Sequence, residues 1–92
     1  MRARATGPMS LHVKATVLVR LKPEVLDPQG DAVRRALKAQ GFEGVRGVRI
    51  GKLIEIEVEG ATDAAALKDK LAKMADELLA NPVIEDYEIR IG

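Results

Sequence analysis

The stretch VRGVRIGKLIEIEVEG, residues 45–60, decides the fold. Two runs of alternating apolar and polar residues lie on either side of Gly51-Lys52. Val48 and Ile50 match Ile54, Ile56 and Val58 as inward positions, while Arg49, Glu55, Glu57 and Glu59 point outward. Alternation with β-branched residues marks strands. The spacing predicts strands over 45–50 and 53–59, joined as a hairpin around Gly51-Lys52. A two-residue turn would pair residues whose numbers sum to 103 and set Val48 opposite Glu55, mixing the two faces. A sum of 104 sets Val48 with Ile56 and Arg49 with Glu55. A three-residue turn or bulge is therefore expected, with Gly51 at positive φ.

Working outward from the hairpin, HVKATVLVRL at residues 12–21 alternates in the same way. Val13, Ala15, Val17, Val19 and Leu21 share one face. Lys22-Pro23 ends that strand. Residues 28–40 carry Val33, Ala36 and Leu37 on one helical stripe, with Gly41 placed to stop the helix and Phe42 to fold back on the stripe. Beyond Gly60, Thr62 or Asp63 caps a second helix over roughly 63–80 with the stripe Ala64, Leu67, Leu71, Met74 and Leu78. Asn81-Pro82 stops it. Residues 84–91 alternate again, with Tyr87, Ile89 and Ile91 facing inward.

The order is β-α-β-β-α-β. It predicts an α+β, two-layer sandwich of the ferredoxin-like kind, an antiparallel sheet with two helices on one face. The other face is mostly polar but carries Leu18, Leu53 and Ile84, which read either as an association surface or as the scattered surface hydrophobes that are normal in a folded domain. Residues 1–11 read as a flexible N-terminal extension, with Met9 as a second candidate start, and residues 12–92 as one domain.

Composition narrows the chemistry. The 92 residues hold 15 basic and 14 acidic side chains, a net charge of +1, without the basic excess of a nucleic-acid binder. There is no cysteine, so a disulfide framework and a cysteine-based zinc site are excluded. No apolar run reaches membrane-span length, and the N-terminus lacks the apolar core of a signal peptide, so a cytoplasmic protein is expected. His12 is the only histidine and Ser10 the only serine. No catalytic dyad and no set of metal ligands stands out. The one tyrosine and one phenylalanine are too few for an RNA-stacking sheet. The residues alone describe a small α+β module without an evident active site.

Four segments together carry a resemblance. They are Val19–Lys22, VLDPQG at residues 25–30, VRGVRIGK at 45–52 and LLANPVIEDYEI at 78–89. In this order and spacing the chain resembles the PurS family, the small subunit of phosphoribosylformylglycinamidine synthase, over about residues 13–92. The resemblance implies a non-catalytic subunit of a complex in de novo purine synthesis. That complex uses ATP, magnesium and glutamine, none of them bound by this chain. A glutaminase subunit releases ammonia, and a large synthetase subunit activates the substrate amide with ATP and adds the ammonia. The small subunit would pair with itself as a dimer or tetramer, bridge the two catalytic subunits and assist ammonia transfer. It would bind no nucleic acid and no membrane.

Partner-contact candidates follow position by position: Lys22, Gln29, Gly30, Arg49, Gly51, Lys52, Asn81, Glu85 and Asp86. Neighbouring Asp27, Pro82 and Tyr87 are better read as a helix cap, a helix stop and core. An alternative reading is a dimeric small-molecule-binding regulatory module, since such domains pair to bind ligands at their interface.

Asp27-Pro28 fits an N-cap followed by proline at the first helical position. The Asp27 carboxylate would occupy the free N–H groups there and disfavour an anion site. Gly30 is not explained by capping, because a glycine inside a helix costs about 0.5–1 kcal/mol relative to alanine. Close approach by a neighbouring subunit is the expected reason for it.

Overall fold

A computed structural model describes residues 12–60 and 63–92. The extension over residues 1–11 and the cap at Thr62 lie outside the described residues. The elements are β1 (His12–Leu21), α1 (Pro28–Ala39), β2 (Gly51–Glu59), α2 (Ala64–Met74) and β3 (Glu85–Ile91). They form a three-stranded antiparallel sheet in the order β2-β1-β3. The α+β class, the antiparallel sheet and the two helices are as expected. This strand order is that of a ferredoxin-like sheet without its fourth, outer strand.

The missing strand is the first half of the expected hairpin. Residues 45–50 are not part of the sheet, and Gly51 makes no turn. Its φ is not positive; the positive-φ glycines are Gly41, Gly44, Gly60 and Gly92. The chain runs straight through Gly51-Lys52 into β2, with Arg20 opposite Gly51 and Val19 opposite Lys52. Here the glycine serves close approach: a Cβ on Gly51 would collide with the Val19 carbonyl oxygen. A glycine between two alternating runs signals a turn or a close contact equally well, and the contact prevails.

Long-range bonds hold residues 47–50 away from β2. The Arg49 guanidinium donates to the carbonyls of Lys22 at 2.9 Å and Val25 at 2.8 Å. The Ile50 N–H donates to Asp27 Oδ2 at 2.8 Å. This segment is thereby fastened to the loop between β1 and α1.

The core lies between one sheet face and α2. Alternation in β1 buries Ala15, Val17 and Val19. Leu67 and Leu71 of α2 pack on Ala15, with Ile56, Val58, Met74 and Ile89 around them. Ala75 packs on Val17 and Val19, joined by Ile54, Leu79 and Tyr87. Beyond Met74 the helix continues over Ala75–Leu79 as one wide turn, closed by Ala80 N–H to the Ala75 carbonyl at 2.9 Å. This five-residue spacing inserts one extra residue into the helical repeat. It explains why Leu78, expected on the stripe, is 83% exposed while Ala75 is buried and Leu79 half-buried.

α1 behaves differently. It closes as expected, with Gly41 at φ +94° and the Gly41 and Phe42 N–H groups donating to the Lys38 and Leu37 carbonyls. Yet its only buried residue is Gly30. Val33 is 39% exposed, Phe42 56%, and neither core cluster contains an α1 residue. Only α2 covers the described sheet.

Candidate functional site

Three loops meet at one end of the sheet, where β1 finishes and β2 and β3 begin. Lys22 follows β1, Gln29 and Gly30 open α1, Arg49, Gly51 and Lys52 lead into β2, and Glu85 and Asp86 start β3. The Lys22 N–H donates to the Ile84 carbonyl at 2.9 Å and draws the third loop in. All nine partner-contact candidates thus belong to one edge of the molecule, although they come from segments as far apart as Lys22 and Asp86. A cleft of about 460 Å³ runs along this edge, with Gln29, Ile50, Lys52 and Glu85 in its walls.

Asp27 organises the edge. It is 8% exposed, and its carboxylate accepts from Gly30 N–H at 2.9 Å through one oxygen and from Ile50 N–H through the other. One side chain therefore caps α1 and ties it to the entry of β2. The Ile50 hydrogen bond, the Gly30 hydrogen bond and the nearby Arg49 charge hold this carboxyl below the ordinary aspartate range, against the opposing effect of desolvation. Both carboxylate oxygens being so used, the helix start offers no anion site.

Gly30 is explained by the same knot. A Cβ there would collide with the Val48 carbonyl and lie 2.7 Å from Asp27 Oδ2. The neighbour that requires a glycine is this chain's own residue 48.

The third loop closes on itself. Asn81 N–H donates to Glu85 Oε1 at 2.7 Å, and the Asn81 carbonyl accepts from Ile84 and Glu85 N–H. Asn81 Oδ1 accepts from Val83 N–H at 3.1 Å. Tyr87 is half-buried in the core, and its hydroxyl faces the Ala72 carbonyl at 3.5 Å. Burial, then the neighbouring Asp76 carboxylate, push its ionisation upward.

The candidates thus divide by what they touch. Arg49, Gly30, Gly51, Asn81 and Glu85 hold the edge in shape. Among the described residues, the side chains of Gln29, Lys52, Asp86 and Lys22 make no hydrogen bond or ion pair, and the first three are exposed. Sequence reasoning missed the double duty of Asp27 and the bracing by Arg49, because their partners lie more than 20 residues away. No group of three or more metal-ligating side chains occurs among the described residues. No described helix is long and apolar enough to cross a membrane.

Comparison with known proteins gives a consistent result. The family model for PurS, phosphoribosylformylglycinamidine (FGAM) synthase, matches residues 14–92. The PurS subunit of phosphoribosylformylglycinamidine synthase from Methanocaldococcus jannaschii is 45% identical over 78 residues, 85% of this chain and 93% of that one. The Synechocystis sp. subunit is 48% identical over 79 residues, 86% of this chain and 78% of that one. The crystal structure of the Methanocaldococcus jannaschii protein matches with a TM-score of 0.78 at 41% identity, over 87% of this chain and 95% of that one. A chain in the structure of PurLQS from Thermotoga maritima matches with a TM-score of 0.80 at 34% identity, over 89% of this chain and 99% of that one.

Proposed function

The chain belongs to the PurS family of phosphoribosylformylglycinamidine synthase, and on that premise we propose that it bridges the glutaminase and synthetase subunits of that ligase. It carries neither reaction. It acts in the cytoplasm, pairs with copies of itself, and leaves ATP, magnesium and glutamine to the other subunits. The observation that carries this reading is the likeness to a chain of the PurLQS structure, which spans nearly the whole of both chains.

Chemistry gives a reason for such a subunit. Ammonia near neutral pH is mostly ammonium, which has no lone pair to attack an activated amide. Two active sites held in register pass ammonia before water protonates it. What this chain supplies is a stiff edge. Asp27, Arg49 and the Asn81–Glu85 turn fix three loops, and the fixed loops present Gln29, Lys52 and Asp86 outward in one array. Loop backbone already held in place loses less freedom on binding than mobile loops would.

Mixing the chain with the two catalytic subunits and isolating the assembly by size-exclusion chromatography tests the reading. A complex containing all three chains in the presence of glutamine and nucleotide is expected. Co-elution of the other two without this chain would refute it.

A further inference from the structure

We infer that the sheet face opposite α2 docks an acidic segment of a catalytic subunit, one that carries an apolar side chain beside its carboxylates, in a cleft between Arg20, Arg49 and Lys52. This rests on the bridging reading and gives it a contact surface beyond the three loops.

The cleft, of about 340 Å³, lies at the end of that face. β1 sends Leu18 and Arg20 there, and β2 sends Leu53, whose strand partner is Leu18. Gly51 stands opposite Arg20 and, having no side chain, leaves the space beside it open. Arg49 enters from the segment before β2. Lys52 borders both this cleft and the larger one along the loop edge.

Charge selects what fits. Three cations line the cleft and no carboxylate does. Arg49 donates to carbonyl oxygens, which carry no net charge to offset its own. The side chain of Lys52 makes no hydrogen bond or ion pair among the described residues. Arg20 lies 3.6 Å from Glu88, but Arg90 holds the same carboxylate at 2.9 Å, so two guanidinium groups share one anion. Asp86 and Glu55 stand on the same sheet face without lining the cleft. The surplus is positive, and an arginine carries more N–H donors than one carboxylate takes up.

Apolar surface narrows the class further. Beside the cations lie Leu18, half-buried, and Leu53, 62% exposed. A small inorganic anion would satisfy the cations and leave the leucine pair in water. A peptide segment with carboxylates flanking an apolar side chain covers both. Charge complementarity around an apolar contact is how protein partners recognise each other.

A zero-length carbodiimide crosslinker tests the contact on the native chain in complex with the glutaminase and synthetase subunits. It joins a lysine amine only to a carboxylate touching it. Mass spectrometry should find Lys52 linked to an aspartate or glutamate of a catalytic subunit, with an apolar residue next to it. Affinity gives a second readout. Arg20→Glu combined with Lys52→Glu should weaken assembly about a hundredfold, and the loss should shrink as salt screens the charges. Leu53→Thr should weaken it about fivefold at every salt concentration. Lys68→Glu, on the helix that covers the other face, should assemble as the parent does. A Lys52 link confined to carboxylates of this chain, no Lys52 link at all, or parent affinity in the double variant would each overturn the inference. Complete assembly without the link removes this surface and leaves the bridging reading standing, whereas failure of the parent chain to assemble removes both.

Discussion

Replacing Gly30 by alanine gives opposite signs under two lines of reasoning. Helix propensity alone predicts a gain of about 0.8–1 kcal/mol, because Gly30 is inside α1. The packing predicts a loss. The new Cβ would lie against the Val48 carbonyl at less than any normal separation and 2.7 Å from Asp27 Oδ2. The obstacle is backbone, so no side-chain rotation relieves it, and the residue 47–50 segment or the start of α1 must move. Overpacking of this kind costs about 1–3 kcal/mol, and an immovable obstacle argues for the upper half. After the propensity gain, a net loss of about 1–2 kcal/mol remains, or roughly 5–10 °C in Tm for a domain of this size. Gly47→Ala is the control, since nothing lies within 4 Å of a Cβ there and its φ is not positive. It should be neutral or stabilising by about 0.4–1 kcal/mol. Both variants are compared with the parent by calorimetry at one chain concentration, because association makes Tm depend on concentration. If Gly30→Ala melts at or above the parent, the assigned role of Val48 in fixing this glycine is wrong.

Other expectations follow from the same contacts. Lys52→Glu should leave Tm within about 2 °C, as an exposed surface change does, and weaken assembly with the catalytic subunits about tenfold in titration, roughly 1.4 kcal/mol; unchanged assembly would remove Lys52 from the contact edge. Leu71→Ala empties a fully buried site in the core and should cost roughly 3 kcal/mol, lowering Tm by about 15 °C; a shift under a third of that would contradict the packing described. Asp27 has a lowered pKa in the folded chain, so its contribution is present above the unfolded value near pH 4 and is lost as pH falls through the folded value. Asp27→Asn should therefore unfold more readily than the parent at pH 7, with the difference shrinking below about pH 4; a difference independent of pH would mean the carboxylate charge is irrelevant.

Much of the fold was legible from local signals. β1, α1, α2 and β3 announced themselves by periodicity and stop residues, and Asp27-Pro28 announced the cap, because each is decided within a few residues. The hairpin was not legible in the same way. The sequence around Gly51-Lys52 fits a turn locally, and only Val19 and Arg20, three strands' worth of chain away, reveal that the glycine is needed for contact. Leu78 was misplaced because one wide turn after Met74 shifts the helical phase, a change that no single residue signals. At the candidate edge, Lys52 and Gln29 could be picked out as residues without structural employment. Arg49 could not be identified as a brace, because what it holds, the carbonyls of Lys22 and Val25, is backbone and carries no side-chain signature.

The central claim concerns ammonia passing between two subunits that this chain joins. The most direct measurement is the rate of amidine formation by the two catalytic subunits, with and without this chain, using either glutamine or ammonium salt as the nitrogen source. The account predicts that the glutamine-dependent rate requires the chain while the ammonium-dependent rate does not. A glutamine-dependent rate that is the same in its absence would contradict it.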